Sequence, residues 1–212
     1  MENAKNSAIL LLGPTGAGKS PLGDFLEKHG FLGKRCFHFD FGANLRATAS
    51  GEYSEFLSRE DIDYIKNVLK ESFLLENETF YIAAGLVRAF IQRGQITPAD
   101  LIVLNGLPRH VGQADDVAKL LQVRSVVFLD CDSDVVMARI KANSGGDRTG
   151  RTDDSIVEIE KKIKIFRDRT VHLLDYYRSH GVQVERISIE KDTLAEEIYN
   201  KIIEHKEMKN DN

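Results

Sequence analysis

Short apolar runs punctuate the chain at 8–12, 36–41, 101–104 and 125–129, and 182–189 alternates in part. Runs of this length, most of them closed by a turn or polar residue such as Gly13, Asn105-Gly106 or Asp130, predict buried strands. Between them, apolar residues recur every three or four positions, the period of a helix with one buried face. Leu22, Phe25 and Leu26 share a face over 22–29, Val117, Leu120 and Leu121 over 113–121, and Val135, Met137 and Ile140 over 134–140. One long helix is expected over 153–177, carrying Ile156, Ile159, Ile163, Phe166, Val171 and Leu174. A last one spans 194–205, with Ile198, Ile202 and Ile203 on one side. Strands alternating with helices call for parallel pairing and right-handed crossovers. The expected fold is therefore α/β, a three-layer α/β/α sandwich around a five-stranded parallel sheet.

The stretch between the second and third runs breaks the rhythm. It holds two helical patterns, 59–69 and 79–92, and no obvious strand. Ser58 is a good N-cap for the first, with Glu60 and Asp61 in its opening turn. We read 42–92 as a helical subdomain inserted at the sheet edge. A second break, 143–152, is rich in Gly, Ser, Arg and Asp and reads as a mobile loop. The polar tail, 206–212, is expected to fray.

Composition adds bounds. A chain of 212 residues is one domain, 1–212, with room for insertions. With 42% apolar residues it can bury a full core. A net charge of −4 argues against a broad nucleic-acid surface, though not against a local basic site. Cys36 and Cys131 are too few for a disulfide scaffold or a four-cysteine zinc site, and both lie in apolar runs. No run is long enough to cross a bilayer and no leader is visible, so no membrane partner and a cytoplasmic location are expected.

The chemistry starts at Gly13-Pro14-Thr15-Gly16-Ala17-Gly18-Lys19-Ser20, a complete P-loop pattern between a strand and a helix. Its glycines allow a nest of N–H groups aimed at phosphate oxygens. Lys19 supplies a point charge, Ser20 a hydroxyl for Mg²⁺, and the following helix its positive end. Gly13, Gly16, Ala17, Gly18, Lys19 and Ser20 are thus the expected binders of ATP phosphates, with Mg²⁺ as cofactor. Pro21 stands at the first turn of that helix, where its missing N–H costs little, but it can donate nothing to the nucleotide.

Further segments resemble the nucleoside monophosphate kinases of adenylate kinase and uridylate/cytidylate kinase type. Leu101-Ile-Val-Leu-Asn-Gly-Leu-Pro-Arg109 followed by Gln113 is similar to that family's Asp-Gly-Phe-Pro-Arg segment and its glutamine. Phe41-Gly-Ala-Asn-Leu-Arg46 is similar to its Thr-Gly-Asp-x-Leu-Arg, and Gly150-Arg151-Thr152-Asp153-Asp154 to the Gly-Arg-x-Asp-Asp that closes its lid. The resemblance runs from Ile9 to about Ile203. It implies a short zinc-free lid over 143–152, a monomer, and transfer of the γ-phosphoryl of ATP to a nucleoside monophosphate. It also assigns roles. Lys19, Arg109, Arg139 and Arg151 are the expected catalytic cations. Phe41, Arg46, Gly106, Arg109, Gln113, Arg151 and Lys162 are the expected acceptor-side residues, with Gln113 reading the base. Such a clamp suits phosphoryl transfer, which needs positioning and charge neutralisation more than covalent chemistry.

The departures cluster on the acceptor side and the metal shell. Asn105 stands in place of an aspartate that orients the magnesium's water, and Asp40 is the nearest carboxylate able to take over. Both are expected to act on Mg²⁺ through water. Asn143 and Lys162 replace arginines, Phe41 a threonine and Ala43 an aspartate, while Arg148 is a candidate substitute cation in the lid. Two other readings stay open at this point. One is a P-loop kinase of a different small acceptor, with Asp40 as base. The other is a nucleotide-binding regulatory protein with weak catalysis.

Overall fold

The computed structural model describes residues 5–52, 57–71, 73–147 and 155–210. The apolar runs become five strands: β1 (Asn6–Leu12), β2 (Cys36–Asp40), β3 (Leu101–Asn105), β4 (Leu121–Asp130) and β5 (Gln183–Ser188). They form one sheet in the order β2-β3-β1-β4-β5, and every pair is parallel. Ala8, Leu10 and Leu12 of β1 face one core, while Ile9 and Leu11 face the other. That alternation buries both faces, the normal condition of a parallel sheet.

The helices supply the two outer layers. α1 (Lys19–His29) and α9 (Ala195–Asn210) cover one face, with Leu22, Leu26, Ile198 and Ile202 buried against Ile9 and Leu11. α4 (Phe80–Arg93), α5 (Val111–Leu120) and α8 (Leu173–Ser179) cover the other. α9 continues through Asn210, so the expected fraying from 206 is not seen before 210.

Several boundaries differ from the pattern, each for a visible reason. Phe41 does not end β2 but opens a further helix, α2 (Phe41–Ala49), because the Asp40 carboxylate accepts the Ala43 N–H at 2.9 Å and caps it. α3 (Arg59–Glu71) begins as expected: the Asp61 N–H bonds the Ser58 hydroxyl at 3.1 Å, and Asp61 in turn accepts the Ser58 N–H. Of the span 42–92, α2 and α3 pack on each other. α4, by contrast, buries Ile82, Leu86 and Val87 in the same core as Leu10 and Leu104, so it is a layer helix leading into β3.

The single long helix expected over 153–177 is three segments. α7 (Ile156–Ile165) starts at a capping box formed by Ser155 and Glu158. A π-helical turn, Phe166–Thr170, then separates it from α8. Wide turns of this kind arise where a helix must re-aim side chains, often beside a functional site. Here Thr170 turns its hydroxyl onto the Arg109 carbonyl at 2.7 Å. α6 (Ser133–Ala142) follows β4 and ends at Asn143, whose positive φ of 48° closes the helix. Among the described residues no helix is long and apolar enough to cross a membrane.

Candidate active site

β1 lies between β3 and β4, strands that come later in the chain and run out on either side of it. In such sheets the crevice beyond the carboxyl ends at this switch is where ligands bind. The loop leaving β1 is the P-loop. Gly18 takes φ 101° to start α1, and a Cβ at Gly13 (φ 155°) would come within 2.7 Å of the Leu129 carbonyl oxygen. Neither position tolerates a side chain without moving backbone. The Lys19 ammonium lies across the loop and donates to the carbonyls of Gly13 (2.7 Å) and Pro14 (2.6 Å). A cleft of about 980 Å³, counting its open mouth, extends from this loop past Ser20, Asp40 and Asn105 to Arg46, Arg109 and Lys162.

Asp40 is the hub. Its Oδ1 caps α2, whereas its Oδ2 accepts the Ser20 hydroxyl at 2.7 Å and the Asn105 amide at 2.9 Å. Burial alone would raise this carboxyl. The Ser20 hydroxyl, the Ala43 N–H and the nearby His38 and Arg46 outweigh burial and hold it below its ordinary value of 3.8. A carboxylate therefore sits beside the P-loop serine although Asn105, at the end of β3, carries no charge. Among the described residues no group of three His, Cys, Asp or Glu side chains could hold a metal alone. The donors present suit Mg²⁺, which takes one or two carboxylates and completes its shell with water and substrate phosphate.

His38 extends the hub and escaped the sequence reading. Its Nδ1 lies 2.7 Å from Asp24 and its Nε2 lies 3.4 Å from the Asn105 amide nitrogen. The signal was a polar residue alternating with Phe37 and Phe39 in an otherwise apolar strand.

Arg109 is fixed at three points. Its Nε donates to the Gly106 carbonyl (3.1 Å), its N–H to Gln113 Oε1 (2.8 Å), and its carbonyl accepts from Thr170. Burial lowers the pKa of this guanidinium and Arg46 repels it, while Asp40 opposes both. Arg109 and Arg46 line one wall of the cleft together. A second hollow, sharing Gly42, Arg46, Arg109, Lys162 and Ile165 with the first, runs from that wall under α2 and α3.

Three expected site residues are engaged within the fold itself. Gln113 is 1% exposed, and its Nε2 donates to the Leu75 carbonyl at 2.7 Å, so the amide joins Arg109 to the 73–76 segment. Arg139 is 4% exposed. Its Nε donates to Gly16 O (3.1 Å) and its Nη1 to the carbonyls of Glu190 (2.7 Å), Lys191 (3.2 Å) and Thr193 (3.0 Å), which binds the guanidinium to backbone instead of leaving it to close from a lid. Phe41 is buried and stacks on Phe39 while lining the second hollow. Arg148 and Arg151, with Thr152, Asp153 and Asp154, lie outside the described residues.

A family profile described as an AAA domain matches residues 9–161. The chain is similar to the uridylate kinase of Saccharomyces cerevisiae, 27% identical over 198 residues that cover 91% of this chain and 87% of that protein. It is also similar to the adenylate kinase of a Synechococcus species (28% over 184 residues, 83% and 87% covered) and that of Prochlorococcus marinus (26% over 186 residues, 84% and 87% covered). With a parallel five-stranded sheet, an intact P-loop at its switch point and two arginines lining the same cleft, the chain belongs to the family that the AAA-domain profile describes, and over most of its length it is similar to adenylate and uridylate kinases.

Proposed function

We propose that the protein moves the γ-phosphoryl group of ATP onto the phosphate of a nucleoside monophosphate, giving ADP and a nucleoside diphosphate. An acceptor phosphate oxygen forms the new bond to the γ-phosphorus, and the bond to the β–γ bridging oxygen breaks. The observation that carries this reading is the Arg46 and Arg109 wall, facing the P-loop across one cleft. Two guanidiniums suit an acceptor that is itself an anion, since each can make paired bonds to phosphate oxygens. Lys19 and the P-loop amides hold the donor phosphates. Ser20 and Asp40 would hold Mg²⁺, directly or through water, with Asn105 fixing the Asp40 carboxylate; the ion would neutralise charge on the β- and γ-phosphates. Arg151, outside the described residues, is the proposed lid cation.

A hydroxyl acceptor would need a free general base. The carboxylate beside the P-loop serine is Asp40, whose oxygens accept from Ala43, Ser20 and Asn105, and this supports the anionic acceptor. The two cysteines are free, which suits a reducing cytoplasm, and a monomer presents the complete cleft. The test offers Mg-ATP with nucleoside monophosphates in one set and the matching nucleosides in another. Turnover confined to the monophosphates is expected; turnover of nucleosides alone would replace this reading with a hydroxyl kinase.

A further inference from the structure

The second hollow opens directly from the Arg46 and Arg109 wall, so an acceptor held there by its phosphate directs the rest of itself into that space. Its lining is one-sided in character. Leu45, Val68, Leu69, Leu74 and Leu75 are apolar, and Gln113 is the one uncharged side chain among its described lining that can form polar hydrogen bonds. Gln113 is already committed, with Oε1 on the Arg109 N–H and Nε2 on the Leu75 carbonyl, in a side chain 1% exposed. At the mouth stands Phe73, which is 59% exposed, with the Lys161 ammonium 5.0 Å from its ring centroid. A large aromatic ring that stays mostly exposed despite the lysine over it offers a π surface beside an apolar slot, and stacking is tolerant because every base has a π face.

We propose that this protein recognises its acceptor by phosphate and by stacking on Phe73, and discriminates little between bases, so that purine and pyrimidine nucleoside monophosphates share one site. This rests on the kinase reading for the place of the phosphate. The magnitude follows from the lining. A site built to hydrogen-bond a substrate group rejects the analogue lacking it by roughly 10⁴–10⁵, whereas an apolar pocket separates its ligands by only about 10–200-fold.

Equilibrium binding of AMP, GMP, CMP and UMP to the full chain, measured by calorimetry without ATP, tests it. The four dissociation constants should lie within about 100-fold of one another. The exposed Phe73→Ala variant should weaken all four together, by about 5- to 100-fold, the loss of one stacked ring. A wider spread, binding by none of the four, an unchanged Phe73→Ala, or a loss confined to one base would each overturn the proposal. The kinase reading fails separately: monophosphates that bind with a narrow spread and yield no diphosphate sink it while leaving the shared site standing. Conversion of one base alone sinks the shared site and leaves the kinase.

Discussion

Asp40 does two jobs with two oxygens. One oxygen starts α2 and the other organises Ser20 and Asn105, so a single carboxylate sets both the acceptor-side helix and the metal side of the cleft. Its carboxyl is held below 3.8, so the stabilisation that ionised Asp40 gives is complete at neutral pH. It is lost as pH falls from 3.8 through the lower folded value. Asp40→Asn keeps a competent cap but removes the charge. We expect the variant to be about 1 kcal/mol less stable at pH 7, the scale of one hydrogen bond, with the difference vanishing in acid. Urea melts at both pH values measure this. The same variant should need more Mg²⁺ for half-maximal rate, because the carboxylate beside Ser20 loses its charge. At Arg109 the fork geometry matters as well as the charge. Arg109→Lys is expected to lower kcat/KM for the acceptor by about 10²-fold while leaving ATP binding unchanged, as steady-state kinetics would show.

At the scale of elements, the site depends on pieces of chain held to one another by buried polar bonds. Arg139 on α6 joins the P-loop to the 190–193 turn, and Thr170 joins the π-helical turn between α7 and α8 to the Arg109 carbonyl. Removing the first leaves several buried carbonyls unpaired. Arg139→Ala should therefore lose about 2–4 kcal/mol of stability and weaken ATP binding together. Thr170→Val preserves shape and removes one bond. It should cost about 1 kcal/mol of stability and lower kcat more than it changes the KM for ATP, because the shift falls on Arg109. Comparable loss in both parameters would make Thr170 merely structural.

These connections also show what a sequence withholds. β1, β3 and the end of β4 were legible as short apolar runs buried on both faces, β5 by its partial alternation, and the P-loop because its glycines, Lys19 and Ser20 are contiguous. α2 was not, since its cap comes from the last residue of the preceding strand. The π-helical turn was hidden too: Ile163, Phe166, Val171 and Leu174 keep apolar spacing straight through the break. Gln113 and Arg139 were legible as residues, but their backbone bonds were not. Their partners, the carbonyls of Leu75, Gly16 and Glu190–Thr193, are backbone atoms remote in sequence, and side-chain patterns carry no record of them.

The whole molecule carries −4 overall and yet gathers Lys19, Arg46, Arg109 and Lys162 around one cleft. Local charge of this kind draws polyphosphate to the site while the acidic remainder discourages polyanions elsewhere. The cations sit on different elements: α1, α2, the turn after β3, and α7. A ligand that satisfies all of them must draw the acceptor side and the donor side together and exclude water between them. Two nucleosides joined by five phosphates are such a ligand, and X-ray scattering at saturation should record a smaller radius of gyration than for the free chain.

The central claim is that one cleft brings the γ-phosphate of ATP to an acceptor phosphate. Phosphorus NMR of the protein with Mg-ATP and a nucleoside monophosphate follows both partners in one tube. Loss of the γ resonance should be matched, mole for mole, by new diphosphate resonances of the acceptor and of ADP. Loss of the γ signal to inorganic phosphate, with the monophosphate resonance unchanged, would contradict it.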